Sequence, residues 1–229
     1  MQPHVTPVAW TLVVPLKPLT RAKSRLAATA GGPARARLAL AFAQDTVSAA
    51  LTCGAVRDVA VVTDDRCAAR ELAALGARIV PDAPSAGLNP ALAHGAAEVR
   101  ARRPDAPLAA LNADLPALRP EELTRVLTFA ARSPRAFLAD ADGTGTTLLS
   151  ALPGHALGPH FGPGSRARHR ASGAREIVLA HVDSVRRDVD TAADLVAARA
   201  LGVGPFTTRA CRERTPYDGA GAAAVNSGP

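Results

Sequence analysis

Short apolar runs alternate with longer stretches of helical periodicity along this chain, and the alternation predicts strands and helices in turn. Residues 11–15, Thr-Leu-Val-Val-Pro, read as a first buried strand. Residues 33–51 read as a helix, because Leu40, Ala43, Val47, Ala50 and Leu51 recur at helical spacing and Gly54 follows as a stop. The β-branched run 58–63 predicts a second strand, Asp64 a cap for a helix reaching about residue 75, and Gly76 its end. A third strand at 77–80 leads into a loop ending on Asn89 as helix cap, with Pro90 at the first helical position. That helix extends to about residue 102.

The second half begins in the same way, with a strand at 107–112 that stops at Asp114-Leu115-Pro116. A helix from Pro120 carries Glu121 and Glu122 in its positive first turn, and a strand at 136–139 follows. Here the pattern changes. A polar turn, 140–147, joins that strand to another at 148–152 with no helix between, so the sheet becomes mixed. A basic helix at 166–171, with Ser165 as N-cap and Gly173 as its end, precedes a strand at 176–180. Residues 188–191 lead the last helix, where Thr191 and Asp194 have capping-box spacing and Gly202 marks the end.

No periodicity continues beyond Pro205, so a single domain is expected over 10–204, with flexible termini at 1–9 and 205–229. The element order predicts a three-layer α/β/α sandwich around a mixed, mostly parallel sheet. Its ligand crevice should lie beyond the strand carboxyl ends.

Composition sharpens this picture in three places. A chain of 229 residues, 48% apolar but only 3% aromatic, can build one large α/β core from Ala, Val and Leu. The net charge of +7 would raise nucleic-acid binding, but the Ala, Arg, Gly and Pro richness reads as the codon bias of a GC-rich genome. One Trp, one Tyr and five Phe also leave few stacking partners, so no nucleic acid is expected as a partner. Cys53, Cys67 and Cys211 lack metal-ligand spacing and cannot all pair, which fits a reducing cytoplasm. Neither a signal sequence nor a span of ~20 apolar residues is visible, so the expected location is the cytoplasm, with no membrane partner.

Candidate chemistry collects at the predicted crevice. Lys17, Arg21, Lys23 and Arg25 crowd the loop after the first strand, where their mutual repulsion is relieved by a polyphosphate or simply by solvent. Asp114 ends a buried strand, and Asp188 and Asp190 lead a later helix. Two such carboxylates suit Mg²⁺, which takes few protein oxygens and leaves room for waters and phosphates; a turn acid and a helix-leading acid are the alternatives. Gly87 and Asn89 offer backbone approach to a planar base and an amide to read its edge, or a plain helix cap.

Thr146, Gly162 and Ser165 place hydroxyls and amides on two further loops suited to an anion. The neighbouring Arg166, Arg168, His169 and Arg170 read as a basic face, His169 as structural. No Ser-His-Asp order, Walker loop, dinucleotide fingerprint or zinc spacing competes. What remains is metal-assisted phosphoryl or nucleotidyl transfer.

Six motifs, taken in order, resemble the guanylyltransferases of coenzyme F(420) biosynthesis over residues 10–204. They are Pro15-Leu16-Lys17 with Ala22-Lys23-Ser24-Arg25-Leu26, then Gly87-Leu88-Asn89, then Asn112-Ala113-Asp114-Leu115-Pro116. Gly143-Thr144-Gly145-Thr146, Phe161-Gly162-Pro163-Gly164-Ser165 with Ala167-Arg168-His169, and the stretch from Asp188 to Leu195 complete the set.

The resemblance implies a nucleotidyltransferase fold like that of the molybdopterin-guanine enzymes. It implies transfer of GMP from GTP to phosphoenolpyruvate, giving enolpyruvyl-diphospho-5'-guanosine and pyrophosphate. Alternatives are the same reaction on 2-phospho-L-lactate or 3-phosphoglycerate, or a nucleotide-binding module without turnover. By position, Lys17, Lys23, Arg25, Gly87 and Asn89 would bind GTP; Thr146, Gly162 and Ser165 would bind phosphoenolpyruvate; Asp114, Asp188 and Asp190 would bind Mg²⁺. The transferase that consumes the activated product is the implied protein partner.

Overall fold

The computed structural model describes residues 8–21, 32–83 and 85–213. Its strands are β1 (Trp10–Pro15), β2 (Val56–Val62), β3 (Arg78–Val80), β4 (Leu108–Leu111), β5 (Arg135–Ala139), β6 (Thr146–Ala151) and β7 (Arg175–Glu176). They form one seven-stranded sheet in the order β3-β2-β1-β4-β6-β5-β7. Every pairing is parallel except those of β6, which runs antiparallel to both β4 and β5. The reversal comes from the direct β5–β6 turn, since a short connection joins only antiparallel neighbours.

The helices are α1 (Gly32–Thr52), α2 (Arg66–Ala74), α3 (Leu88–Arg102), α4 (Pro120–Ala130), α5 (Ser165–Ala171), α6 (Asp183–Arg186), α7 (Ala192–Leu201) and α8 (Pro205–Arg212). Alternation along the central strands sends side chains to opposite faces. Leu12 and Val14 join Val47 of α1, Leu72 of α2 and Leu127 of α4 in one apolar cluster, while Val13 joins Leu92 and Val99 of α3 in another. Helices therefore cover both faces of the sheet, giving the expected three-layer α/β/α sandwich. Gly95 sets the depth of α3: a Cβ there would lie 2.5 Å from Val62 Cγ2 and 2.7 Å from Val13 Cγ1.

Several local expectations are corrected by the structure. The cap of α2 is Asp65, whose Oδ1 accepts from the amides of Cys67 and Ala68, and not Asp64. Asp64 instead accepts from the Asp82 amide at 2.9 Å, tying the ends of β2 and β3 together. Gly87 caps α3 in place of Asn89; its φ of 107° and ψ of −175° belong to a region open only to glycine. Likewise Gly164, at φ 69°, caps α5, which moves Ser165 into the first turn.

Two corrections concern longer segments. The strand expected at 176–180 shrinks to the two residues of β7, and residues 183–186 form α6. The chain does not become aperiodic at Pro205, because residues 205–212 form α8, packed against α1. Gly204 supplies no side-chain cap for it. Asp45 of α1 does so instead, its two carboxylate oxygens accepting from Phe206 N–H at 3.0 Å and Thr207 N–H at 2.8 Å. Burial pushes the Asp45 carboxyl up, and these bonds from Thr207 and Phe206 oppose the shift.

Candidate active site

One edge of the sheet gathers the candidate residues, and backbone hydrogen bonds hold the gathering in place. Lys17 follows β1 and is exposed, just after Leu16, whose N–H donates to Val62 O at 2.9 Å. Lys23 and Arg25 lie outside the described residues. Past the end of β4, Asn112 N–H donates to Thr147 O at 3.0 Å. Because β6 runs antiparallel, its first residue, Thr146, shares this edge with the last residues of β4.

The acids meet through the next bond along. Val189 N–H donates to Asp114 C=O at 3.0 Å, so the segment carrying Asp188 and Asp190 lies against the end of β4. Asn112 Nδ2 also approaches Asp188 Oδ2, at 3.4 Å. Asp190 is exposed, and its N–H donates to Asp194 Oδ2 at 3.2 Å as the α7 capping box closes on Thr191. These donors are all oxygen, the chemistry Mg²⁺ prefers, and Mg²⁺ requires only one or two carboxylates. Among the described residues no group of three or more His, Cys, Asp or Glu forms a closed metal cage.

The other side of the site is built on the segment between β6 and α5. Ser165 is 1% exposed and its N–H donates to Gly162 O at 3.0 Å, while Gly162 takes φ 111°. Arg166 N–H donates to Thr144 O at 3.2 Å, which draws the start of α5 to the turn before Thr146. Within that turn Asp140 accepts from the amides of Thr144 and Gly145 at 2.9 and 2.8 Å, and a Cβ on Gly145 would overlap the Asp140 carboxylate. The structure thus joins the turn before Thr146, the loop at Gly162 and the first turn of α5 at Ser165 through backbone hydrogen bonds.

Side chains staple this segment from several directions. Asn89 donates Nδ2 to Phe161 O at 3.2 Å and accepts from Phe161 N–H at 2.7 Å, so its amide is engaged by backbone rather than capping α3. Arg135, on β5, donates to the carbonyls of Leu157, Gly158 and Ser172. Arg168 donates to the carbonyls of His160, Phe161 and Pro163. Arg100 of α3 holds the carbonyls of Leu152 and His155.

The basic face predicted for α5 is therefore largely committed to structure. Arg166 and Arg170 both bond Glu176. Burial pushes the Glu176 carboxyl up, yet the hydrogen bonds from Arg170 and Arg166 outweigh it and hold the group below its ordinary value.

His169, read from the sequence as structural, lies inside the fold. It is 0% exposed, with Nδ1 2.9 Å from Thr146 Oγ1 and Nε2 accepting from His160 N–H at 2.9 Å. Burial drives its pKa down to about 4, with help from His160 and the Arg135 and Arg168 guanidiniums. Its burial agrees with the structural reading, and what the fold adds is the pair of ring contacts, to Thr146 and to the His160 amide.

Comparison with known proteins bears on the fold and on the family. A Desulfovibrio desulfuricans G20 structure described as a nucleotide-diphospho-sugar transferase matches 90% of this chain and 95% of its own, with a TM-score of 0.68 at 18% identity. A nucleotidyl transferase from Methanothermobacter thermautotrophicus covers 84% of this chain and 96% of its own, with a TM-score of 0.59 at 22% identity. The fold is that of the α/β nucleotidyltransferases.

Within that class, residues 10–207 match the family model described as guanylyl transferase CofC like. A phosphoenolpyruvate guanylyltransferase of Streptomyces scabiei is 69% identical over 205 residues, covering 88% of this chain and 95% of its own. Another, from Thermomonospora curvata, is 61% identical over 204 residues and covers 89% of each. This chain belongs to the CofC-like guanylyl transferase family and is an enzyme. Among its described residues no helix is long and apolar enough to cross a membrane.

Proposed function

We propose that this enzyme transfers GMP from GTP to phosphoenolpyruvate in coenzyme F(420) biosynthesis. Its relatives at 69% identity carry the name phosphoenolpyruvate guanylyltransferase, and this likeness is the observation that carries the reading. A phosphate oxygen of phosphoenolpyruvate attacks the α-phosphorus of GTP, the bond to the bridging oxygen breaks, and pyrophosphate leaves with that electron pair. The product is enolpyruvyl-diphospho-5'-guanosine. Two anions must approach in line, so the protein contributes chiefly by positioning them and offsetting their charge.

Lys17, Lys23 and Arg25 are assigned to the triphosphate, and Gly87 and Asn89 to the guanosine. Thr146, Gly162 and Ser165 are assigned to the three-carbon acid, which draws support from the backbone bonds that tie the start of α5 to Gly162 and to the turn before Thr146. Asp114 with Asp188 or Asp190 would hold Mg²⁺, and the Val189–Asp114 backbone bond between their segments supports that donor set. When bound, the ion supplies positive charge beside the reacting phosphates. The cytoplasm is the proposed location, and the transferase that consumes the labile product is the proposed partner.

Pyrophosphate release with GTP, Mg²⁺ and, in turn, phosphoenolpyruvate, 2-phospho-L-lactate and 3-phosphoglycerate tests this directly. Release with phosphoenolpyruvate is the expected result. Preference for another acid would move the substrate, and GTP binding without release from any acid would make the protein a non-catalytic module.

A further inference from the structure

The contacts of His169 settle where its proton sits. A backbone N–H can only donate, so the His160 amide at 2.9 Å requires a lone pair on Nε2. The neutral ring then keeps its hydrogen on Nδ1, 2.9 Å from Thr146 Oγ1, and donates it there. The ring is walled in by Phe161, edge-on at 5.1 Å between centroids, and by Phe137 at 5.8 Å. A doubly protonated ring would set its Nε2–H against the His160 N–H, which agrees with the pKa of about 4.

The consequence falls on Thr146. A hydroxyl has one hydrogen and two lone pairs, and the imidazole N–H occupies one of those lone pairs. The hydroxyl hydrogen is therefore left for a partner other than the ring. Thr146 itself is 4% exposed at the first position of β6, beside the turn tied to α5.

We propose that His169 is a positioning residue for the three-carbon acid, holding Thr146 Oγ as acceptor from the ring so that its hydroxyl donates to an ionised substrate oxygen. The site thereby presents a donor, which pairs more strongly with an ionised carboxylate or phosphate oxygen than with a neutral acceptor and has no place for a donating N–H. This rests on the assignment of Thr146 to the acid subsite. The Asn89 and Arg168 bonds to the backbone around Phe161 keep the His160 amide aimed at the ring, so the stapled segment and the hydroxyl form one arrangement.

Two substitutions separate positioning from packing. His169→Asn places an amide N–H near the position of Nδ1 and keeps a donor for Thr146, while losing the bond from His160. His169→Gln does the reverse, reaching the His160 amide with its carboxamide oxygen and leaving Thr146 without its donor. The KM for phosphoenolpyruvate should rise about tenfold or more in the Gln variant, the loss expected of a hydrogen bond to a charged group, with the KM for GTP within about twofold. The Asn variant should hold the acid KM within about threefold.

A purely structural ring predicts the opposite ranking, and that ranking would overturn the proposal. Nitrogen-15 chemical shifts of wild-type His169 near neutral pH should show Nδ1 protonated and Nε2 bare, and the other tautomer would also overturn it. If wild-type enzyme turns over phosphoenolpyruvate while the Gln variant keeps its acid KM, only this proposal fails. If wild-type enzyme releases no pyrophosphate with any acid, the proposed function fails and takes this inference with it.

Discussion

In the parallel half of the sheet, β1 and β4 deliver Lys17 and Asp114 just past their carboxyl ends, whereas antiparallel β6 delivers Thr146 at its start. A parallel strand presents the residues that follow it, and side chains of neighbouring helices add to the main-chain pairing there: Thr46 Oγ1 accepts from Leu115 N–H at 3.0 Å beside Asp114, and Asp65 Oδ2 accepts from Leu19 N–H at 2.8 Å beyond Lys17. Past β6 the chain leaves from the opposite edge and must return through residues 152–164, which carry no helix or strand. That return path is held by Arg100, Arg135, Arg168 and Asn89. The two halves of the proposed site thus differ in emphasis, ladder bonds with single side-chain ties from Thr46 and Asp65 on one side and a set of arginine and asparagine staples on the other.

Substitutions aimed at each half should therefore have different signatures. The largest effect is expected from Asp114→Asn, which removes a carboxylate assigned to the metal and should slow pyrophosphate release about a hundredfold or more. Its thermal midpoint should stay close to wild type. Turnover near the wild-type rate would remove Asp114 from the reaction.

Arg135→Met should instead act on stability. Carbonyls of Leu157, Gly158 and Ser172 lose their donor, and the expected cost is about 2–3 kcal/mol by urea unfolding. The acid KM should rise while that for GTP is spared. Equal losses for both substrates would mean that the two halves are not separable.

Acid should act on the stapled half as well. The His169 pKa falls from 6.5 to about 4 on folding, so the unfolded chain binds the extra proton between those values. Stability is then lost as pH drops through that window, by on the order of 3 kcal/mol. Replacing His169 with Asn should flatten this part of the pH–stability curve, and an unchanged curve would assign the slope to other groups.

The smallest effect belongs to the helix cap beside the acids. Thr191→Ala breaks the capping box with Asp194 and should cost about 1 kcal/mol without altering the KM for the acid. A loss of turnover from this change would show that the cap also sets the position of Asp190.

Legibility in the sequence follows the same division. The alternation of strands and helices, the stops at Gly76 and Gly202, and the Thr191–Asp194 box are local signals, and the structure matches them. Asp64 and Asp65 are adjacent acids before one helix, and choosing between them needed the position of Asp82. Asn89 and Ser165 are good caps in isolation, but glycine before each already supplies a backbone geometry that no side chain has to complete. The staples of Asn89, Arg100 and Arg135 were invisible because they join residues far apart in sequence, as Asn89 and Phe161 do, while those of Arg168 depend on a loop path that sequence does not specify.

The bond from Asp45 to the start of α8 has a consequence in time. Asp45 is made 161 residues before Phe206, a gap of roughly ten to thirty seconds at ordinary rates of synthesis. Through that interval the two amide donors that the Asp45 carboxylate accepts from in the fold, and the helix that packs beside it, do not yet exist. The first α-helix among the described residues is thus completed by a segment translated long after it, and its contact with α8 waits until residues 205–212 emerge.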